Sequence, residues 1–135
     1  MTNQYQPPTQ TRPAVFGQAA DDHPGALDLA AHLCPNPANA IIGTMRGEAM
    51  TDFGIPDGAL LICERQTAIG VGQFVLVEVS GSLYLRQART VDGAPVLGNA
   101  HGGLFLVDEQ VRCVGVLRWV CCSWGGAARI GVEVE

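Results

Sequence analysis

From Ala40 onward the chain is cut into short apolar runs, each closed by glycine, proline, aspartate or asparagine, and this punctuation constrains the fold more than any other feature. Runs of β-branched and aliphatic residues bounded by turn formers are strand material, too short to bury the stripe of a long helix. The spacing predicts strands over residues 40–46, 60–64, 74–79, 83–88 and 111–124, with shorter candidates at 95–97 and 104–107. Ser80-Gly81 separates two of these runs, and a two-residue loop ending in glycine suits a tight hairpin. Val91-Asp92-Gly93 forms a second turn, since aspartate and glycine tolerate a left-handed backbone. One helix of about two turns is predicted, with Asp28 as its N-cap, running through Leu29-Ala30-Ala31-His32-Leu33 and stopping before Pro35-Asn36-Pro37. The predicted architecture is mostly β: twisted antiparallel sheets with one short helix.

A chain of 135 residues has material for one domain with a real core. Residues 1–20, rich in Gln, Thr and Pro, are expected to form a flexible N-terminal arm, residues 21–125 the β domain, and residues 126–135 a C-terminal tail. A formal charge of −5 leaves no broad cationic surface to neutralise phosphates, so direct nucleic-acid binding is disfavoured. No run approaches the roughly 18 to 20 apolar residues of a membrane span, and the N-terminus lacks the order of a signal peptide, so a cytoplasmic location is expected. The five cysteines are an odd number scattered through apolar stretches, as expected of thiols in a reducing compartment. Cys121 and Cys122 are adjacent, so on a strand they point to opposite faces and cannot share a metal. Neither a metal nor a cofactor is expected.

All eight basic residues are arginines; the chain has no lysine. Within it stand Arg46-Gly47-Glu48-Ala49-Met50, then Asp52-Phe53-Gly54-Ile55-Pro56-Asp57-Gly58-Ala59, an apolar run Leu60-Leu61-Ile62-Cys63, and later Gly81-Ser82-Leu83-Tyr84-Leu85-Arg86. This ordered set resembles the LexA/UmuD family of self-cleaving serine peptidases and is most similar to its UmuD branch. Asp28-Leu29 and Val114-Gly115-Val116 resemble further family segments, so the likeness runs from about Phe16 to Trp124. The resemblance implies the small LexA/UmuD-type peptidase fold. It puts Ala49 where the family has its serine and Arg86 where it has its lysine, with Gly47, Glu48, Met50 and Asp57 around a vestigial cleft.

In a Ser-Lys dyad a neutral lysine takes the proton of the serine hydroxyl. Alanine has no oxygen to attack a carbonyl, and arginine keeps its proton at any physiological pH. The expectation is a pseudo-peptidase with no catalytic residues. The bond equivalent to the family's Ala-Gly or Cys-Gly cleavage site falls at Pro13-Ala14, and neither dipeptide occurs in the chain. Two roles fit Arg86: a guanidinium in the old cleft paired with Glu48 or Asp57, or an ordinary surface arginine. A thiol-imidazole pair of Cys63 and His101 has no support in their spacing, and His23 and His32 carry no pattern either.

Alternation puts Cys113, Leu117, Trp119 and Cys121 on one face of the last predicted strand and Val114, Val116, Val120 and Trp124 on the other. With both faces apolar it is either a doubly covered central strand or a subunit contact. The resemblance implies a homodimer or a heterodimer with a UmuD-like protein, and contact with a Y-family translesion DNA polymerase and with RecA filaments. The leading expectation is a catalytically inactive accessory subunit in SOS translesion synthesis. The alternatives are a regulatory pseudo-protease that dimerises with an active relative, and a serine peptidase in which Ala49 is an engineered substitution.

Overall fold

The computed structural model describes residues 28–124 and 129–135; the predicted arm, the Pro13-Ala14 bond and His23 lie outside them. The helix α1 (Leu29–Leu33) begins as expected, with the Asp28 carboxylate accepting the Ala31 N–H at 3.1 Å. It is shorter than the expected two turns, because the extended conformation required ahead of Pro35 ends it.

Eight strands follow: β1 (Ala40–Met45), β2 (Leu60–Arg65), β3 (Phe74–Val79), β4 (Ser82–Val91), β5 (Ala94–Gly98), β6 (Leu104–Leu106), β7 (Arg112–Cys121) and β8 (Val132–Val134). The predicted strands all form. Ser80 and Gly81 have φ of 52° and 81°, and Asp92 and Gly93 have 52° and 79°, so both hairpins turn on two left-handed residues whose twist matches the flanking strands. The ends differ most at β4, which outruns its expected end at Ala88 because the second hairpin extends its pairing with β5 to Val91.

In pairing order the strands run β3-β7-β2-β1-β8-β4-β5-β6, and β3 also pairs with β4. Six of them therefore close into a ring, β1-β2-β7-β3-β4-β8, while β5 and β6 extend from the far end of β4. Most joints are antiparallel; β8 lies parallel to both β1 and β4. The segment expected to be a tail thus contributes a stave of the ring. Its Val132-Glu133-Val134 alternation is the sequence signal for that strand.

The ring encloses Met45, Met50, Leu61, Cys63, Leu76, Leu85 and Val134, all at most 2% exposed. A second cluster, Val75, Val77, Ala88, Leu97 and Val116, lies on the outer side of β3 and is covered by β5 and β6. Consecutive residues Val75, Leu76 and Val77 are therefore all buried, and β3 is packed on both faces.

This corrects the reading of the last long strand. β7 spans Arg112–Cys121, not 111–124, and its registry slips twice: Ile62 faces Trp119 while Cys63 faces Leu117, and Leu76 faces Gly115 while Val77 faces Cys113. An extra residue, Arg118 in one case and Val114 in the other, bulges out each time and reverses the alternation beyond it. Leu117 and Val120 consequently join the ring interior together, although strict alternation puts them on opposite faces. Trp124 is fully exposed. No helix among the described residues is long and apolar enough to cross a membrane.

Leu76→Ala, at a site 1% exposed, is expected to cost about 2–5 kcal/mol through lost burial and a residual cavity. Leu106→Ala, at a site 67% exposed, should change stability by less than about 0.5 kcal/mol. Urea denaturation of both variants measures the contrast.

Candidate functional site

The segment between β1 and β2 is a loop pinned at its neck. Met45 donates its N–H to the Ala59 carbonyl at 2.8 Å and accepts the Gly58 N–H at 2.7 Å. Across the neck, the Gly47 N–H donates to the Asp57 carboxylate at 2.7 Å, with Gly47 left-handed at φ 85°. Two of the four predicted cleft residues are thereby joined. Met50 is not a cleft residue: it is fully buried among the ring's interior side chains and anchors the loop from below. The loop's short 3-10 turn, Thr51–Phe53, is fixed by Phe53, whose ring meets Phe74 of β3 edge-on at 5.1 Å.

Ala49 is half-buried against the same interior, and its carbonyl accepts the Ala100 N–H at 2.7 Å. Glu48 contributes its main chain. Its carbonyl accepts the Thr51 hydroxyl at 3.0 Å and lies 2.8 Å from His101 Nε2. His101 Nδ1 lies 3.6 Å from the Asp52 carboxylate, and Nε2 lies 3.5 Å from Thr51 Oγ1. Hydroxyl, imidazole and carboxylate thus stand together beside Ala49, but in this arrangement they are a clasp. A ring nitrogen facing a carbonyl at 2.8 Å must carry the proton, so it cannot accept one from Thr51, whose hydroxyl already donates to that carbonyl. The 99–103 turn is tied to the loop by these bonds.

Cys63 and His101 are not brought together. Cys63 is 2% exposed inside the ring, and burial pushes its thiol up to about 12, so no nucleophilic thiolate forms there at neutral pH.

Arg86 is half-buried on β4, and of its two candidate roles the pairing with Glu48 or Asp57 does not form. Its Nη1 donates to the Leu85 carbonyl at 2.7 Å and to the main-chain oxygen of Glu135 at 2.8 Å, and its guanidinium sits 5.3 Å from the centre of the Tyr84 ring. Burial pulls its pKa down from the ordinary value, while Tyr84 and Glu135 act the other way. Asp57 instead pairs with Arg129 at 2.6 Å, and Arg129 also reaches the Met45 carbonyl at 3.2 Å. Arg46 pairs with Glu133 at 2.8 Å. These partners come from the last segment of the sequence, more than 70 positions away, and nothing local in the sequence signals them.

The mostly β fold, with the Ala49 loop after β1 and Arg86 on a later hairpin strand, is consistent with the fold that the LexA/UmuD resemblance implies. A family model described as Peptidase S24-like matches residues 11–97 of the chain. The chain belongs to this family. The match takes in β1, β2, the hairpin of β3 and β4, and nearly all of β5, and so includes the Ala49 loop and Arg86. Strands β6, β7 and β8 of this S24-like chain lie beyond it. No curated protein matches the chain.

The Gly47 N–H, then the Arg129 guanidinium, hold the Asp57 carboxyl below its ordinary 3.8. A lowered folded-state pKa stabilises the fold above the ordinary value, and that contribution is lost as pH falls through the lowered one. Asp57→Asn is therefore expected to be less stable than the unchanged chain at pH 7, with the gap closing below about pH 4 and narrowing in salt; urea midpoints across pH measure it. Iodoacetamide at pH 8 should modify the exposed Cys122 in the native chain and Cys63 only after unfolding, as peptide mapping will read.

Proposed function

We propose that this S24-like chain is a catalytically silent, UmuD-like binding subunit that acts in the cytoplasm as an accessory of SOS translesion synthesis, engaging a Y-family polymerase and RecA filaments. The observation that carries the reading is the complete absence of lysine from the sequence. With alanine at position 49 and arginine at 86, the scaffold has neither a hydroxyl to become an alkoxide nor an amine to receive its proton. The clasped His101 and buried Cys63 offer no replacement. What remains is the loop's geometry, kept by main-chain bonds and the Met50 anchor.

A partner subunit is supported by the outer face of β1, β2 and β7. There the register lines up Ile42, Ile62 and Trp119; Ile62 between them is buried at 5% exposure, while Ile42 is 40% and Trp119 41% exposed. An apolar row of this kind on a sheet of an acidic protein suits a second β domain better than a nucleic acid. The same row serves the second reading, in which the chain pairs with an active relative and removes one of two catalytic sites from the mixed dimer.

Two experiments test the proposal. The chain should bind a UmuC-type polymerase in a pull-down, and an Ala49→Ser, Arg86→Lys variant with Pro13→Ala and Ala14→Gly should regain RecA-stimulated cleavage; failure of both removes the reading. Trp119→Glu should shift the sedimentation coefficient from dimer to monomer without loss of the β-sheet circular dichroism signal. An active relative that co-purifies and is cleaved more slowly in the chain's presence favours the regulatory role over the accessory one.

A further inference from the structure

Strand β8 lies outside the family match and fills a seam that the other strands leave open. β1 and β4 do not pair with each other; β8 runs between them, parallel to both. It meets β1 along its whole length, Gly43 with Val132 through Met45 with Val134, but its register with β4 has one pair, Leu83 with Val134, extended by the main chain of Glu135. By contrast β2 and β7 stay paired over all of Leu60 to Arg65. β8 is the shortest stave and the weakest joint of the ring. Withdrawn, it would leave two facing strand edges, the arrangement that accepts an added strand.

Side chains hold the start of the segment, through Arg129 to Asp57 and the Met45 carbonyl and through Glu133 to Arg46, and main-chain bonds hold its end. The Arg46 N–H donates to the Val134 carbonyl, the Glu135 N–H to the Leu83 carbonyl, and the Leu85 N–H to the Glu135 main-chain oxygen, each at 2.8 Å. Arg86 donates to that same oxygen. Thr44, the buried polar side chain among the described residues, gives its hydroxyl to the Ile130 carbonyl at 2.6 Å and takes the Ile130 N–H at 3.1 Å. Any extended peptide can satisfy these donors and acceptors. Burial selects at one side chain: Val134 is 1% exposed in the ring interior, whereas Val132, Glu133 and Glu135 are exposed, and Glu133 adds an ion pair with Arg46. Gly43 makes the room, since a Cβ there would lie 2.8 Å from the Val132 carbonyl oxygen and 2.9 Å from a Val134 methyl.

We propose that the seam between β1 and β4 is a binding site for an extended peptide, filled in this chain by its own residues 132–135 acting as an exchangeable plug. A peptide with a small branched apolar residue in the Val134 register binds there by displacing the plug. Arg86 is then a peptide-binding residue that recognises a main-chain carbonyl, a role that does not depend on which partner the chain serves.

The test titrates a fluorescein-labelled peptide of residues 129–135, by anisotropy, against the full chain and against the full chain carrying Val134→Asp, which expels the resident strand. Binding at least tenfold tighter to the variant is expected, with no binding of a peptide bearing the same Val134→Asp change. Adding Arg86→Ala to the variant should weaken peptide binding several-fold. A folded variant that ignores the peptide, or takes both peptides alike, overturns the proposal. A second arm needs no variant: in the unaltered chain the amides of Arg46, Leu85 and Glu135 should exchange with deuterium at least tenfold faster than those of Leu61, Ile62 and Cys63. Equal rates would mean that the seam opens only with global unfolding, and would also overturn it.

Discussion

Every backbone N–H and C=O that folding removes from water must find a partner, because each one left bare costs about 1–3 kcal/mol, and the rest of this structure follows from meeting that demand with short strands. No strand here exceeds ten residues, and β8 has three. Staves this short cannot cover a core as an open sheet without leaving edges around it. Closing six of them into a ring removes the edges and creates an interior for Met45, Met50, Leu61, Leu76, Leu85 and Val134 together. The two bulges in β7 belong to the same solution. Each adds a residue to one stave, sharpens the local twist, and lets the strand serve β2 with one half and β3 with the other.

The loop after β1 is rigid for the same reason. Its neck is a continuation of the β1 and β2 ladder, its floor is Met50 inside the ring, and its far side is clasped through the Glu48 carbonyl and His101. A peptidase uses such a loop to hold a nucleophile still. In this chain the loop holds an alanine methyl, and position 86 on β4 carries a cation that keeps its proton at physiological pH. Under the proposed reading the scaffold keeps the loop's positioning bonds and serves recognition instead of hydrolysis. The net charge of −5, the exposed Ile42 and Trp119, and the β8 strand between β1 and β4 are the features on which the proposed binding role rests.

Much of this was legible in the sequence because it is local. Strand positions followed from apolar runs between turn formers, both hairpins from Ser80-Gly81 and Asp92-Gly93, and the cap of α1 from Asp28. The bond from the Gly47 N–H to Asp57 is local as well, since the two residues bracket one loop, but the motif pointed Asp57 toward Arg86 and gave no sign of it. The features that escaped are long-range. Alternation along β7 could not be carried through Val114 and Arg118, because a bulge depends on how two partner strands share it. The motif leaves Arg86 between a cleft carboxylate and the open surface, yet its partner is the main chain of Glu135, brought there by a strand with only two valines to announce it. Met50 looked like a cleft residue from its place in the motif, and the ring interior claimed it.

The central claim is that this scaffold engages RecA filaments without being cut, and an intact-mass measurement tests it most directly. The purified chain is incubated with RecA, ATP and single-stranded DNA, the filaments are sedimented, and the mass of the bound chain is read. Co-sedimentation at the full 14.2 kDa is the expected result. A shortened chain in the pellet, or a chain left wholly in the supernatant, would contradict the account.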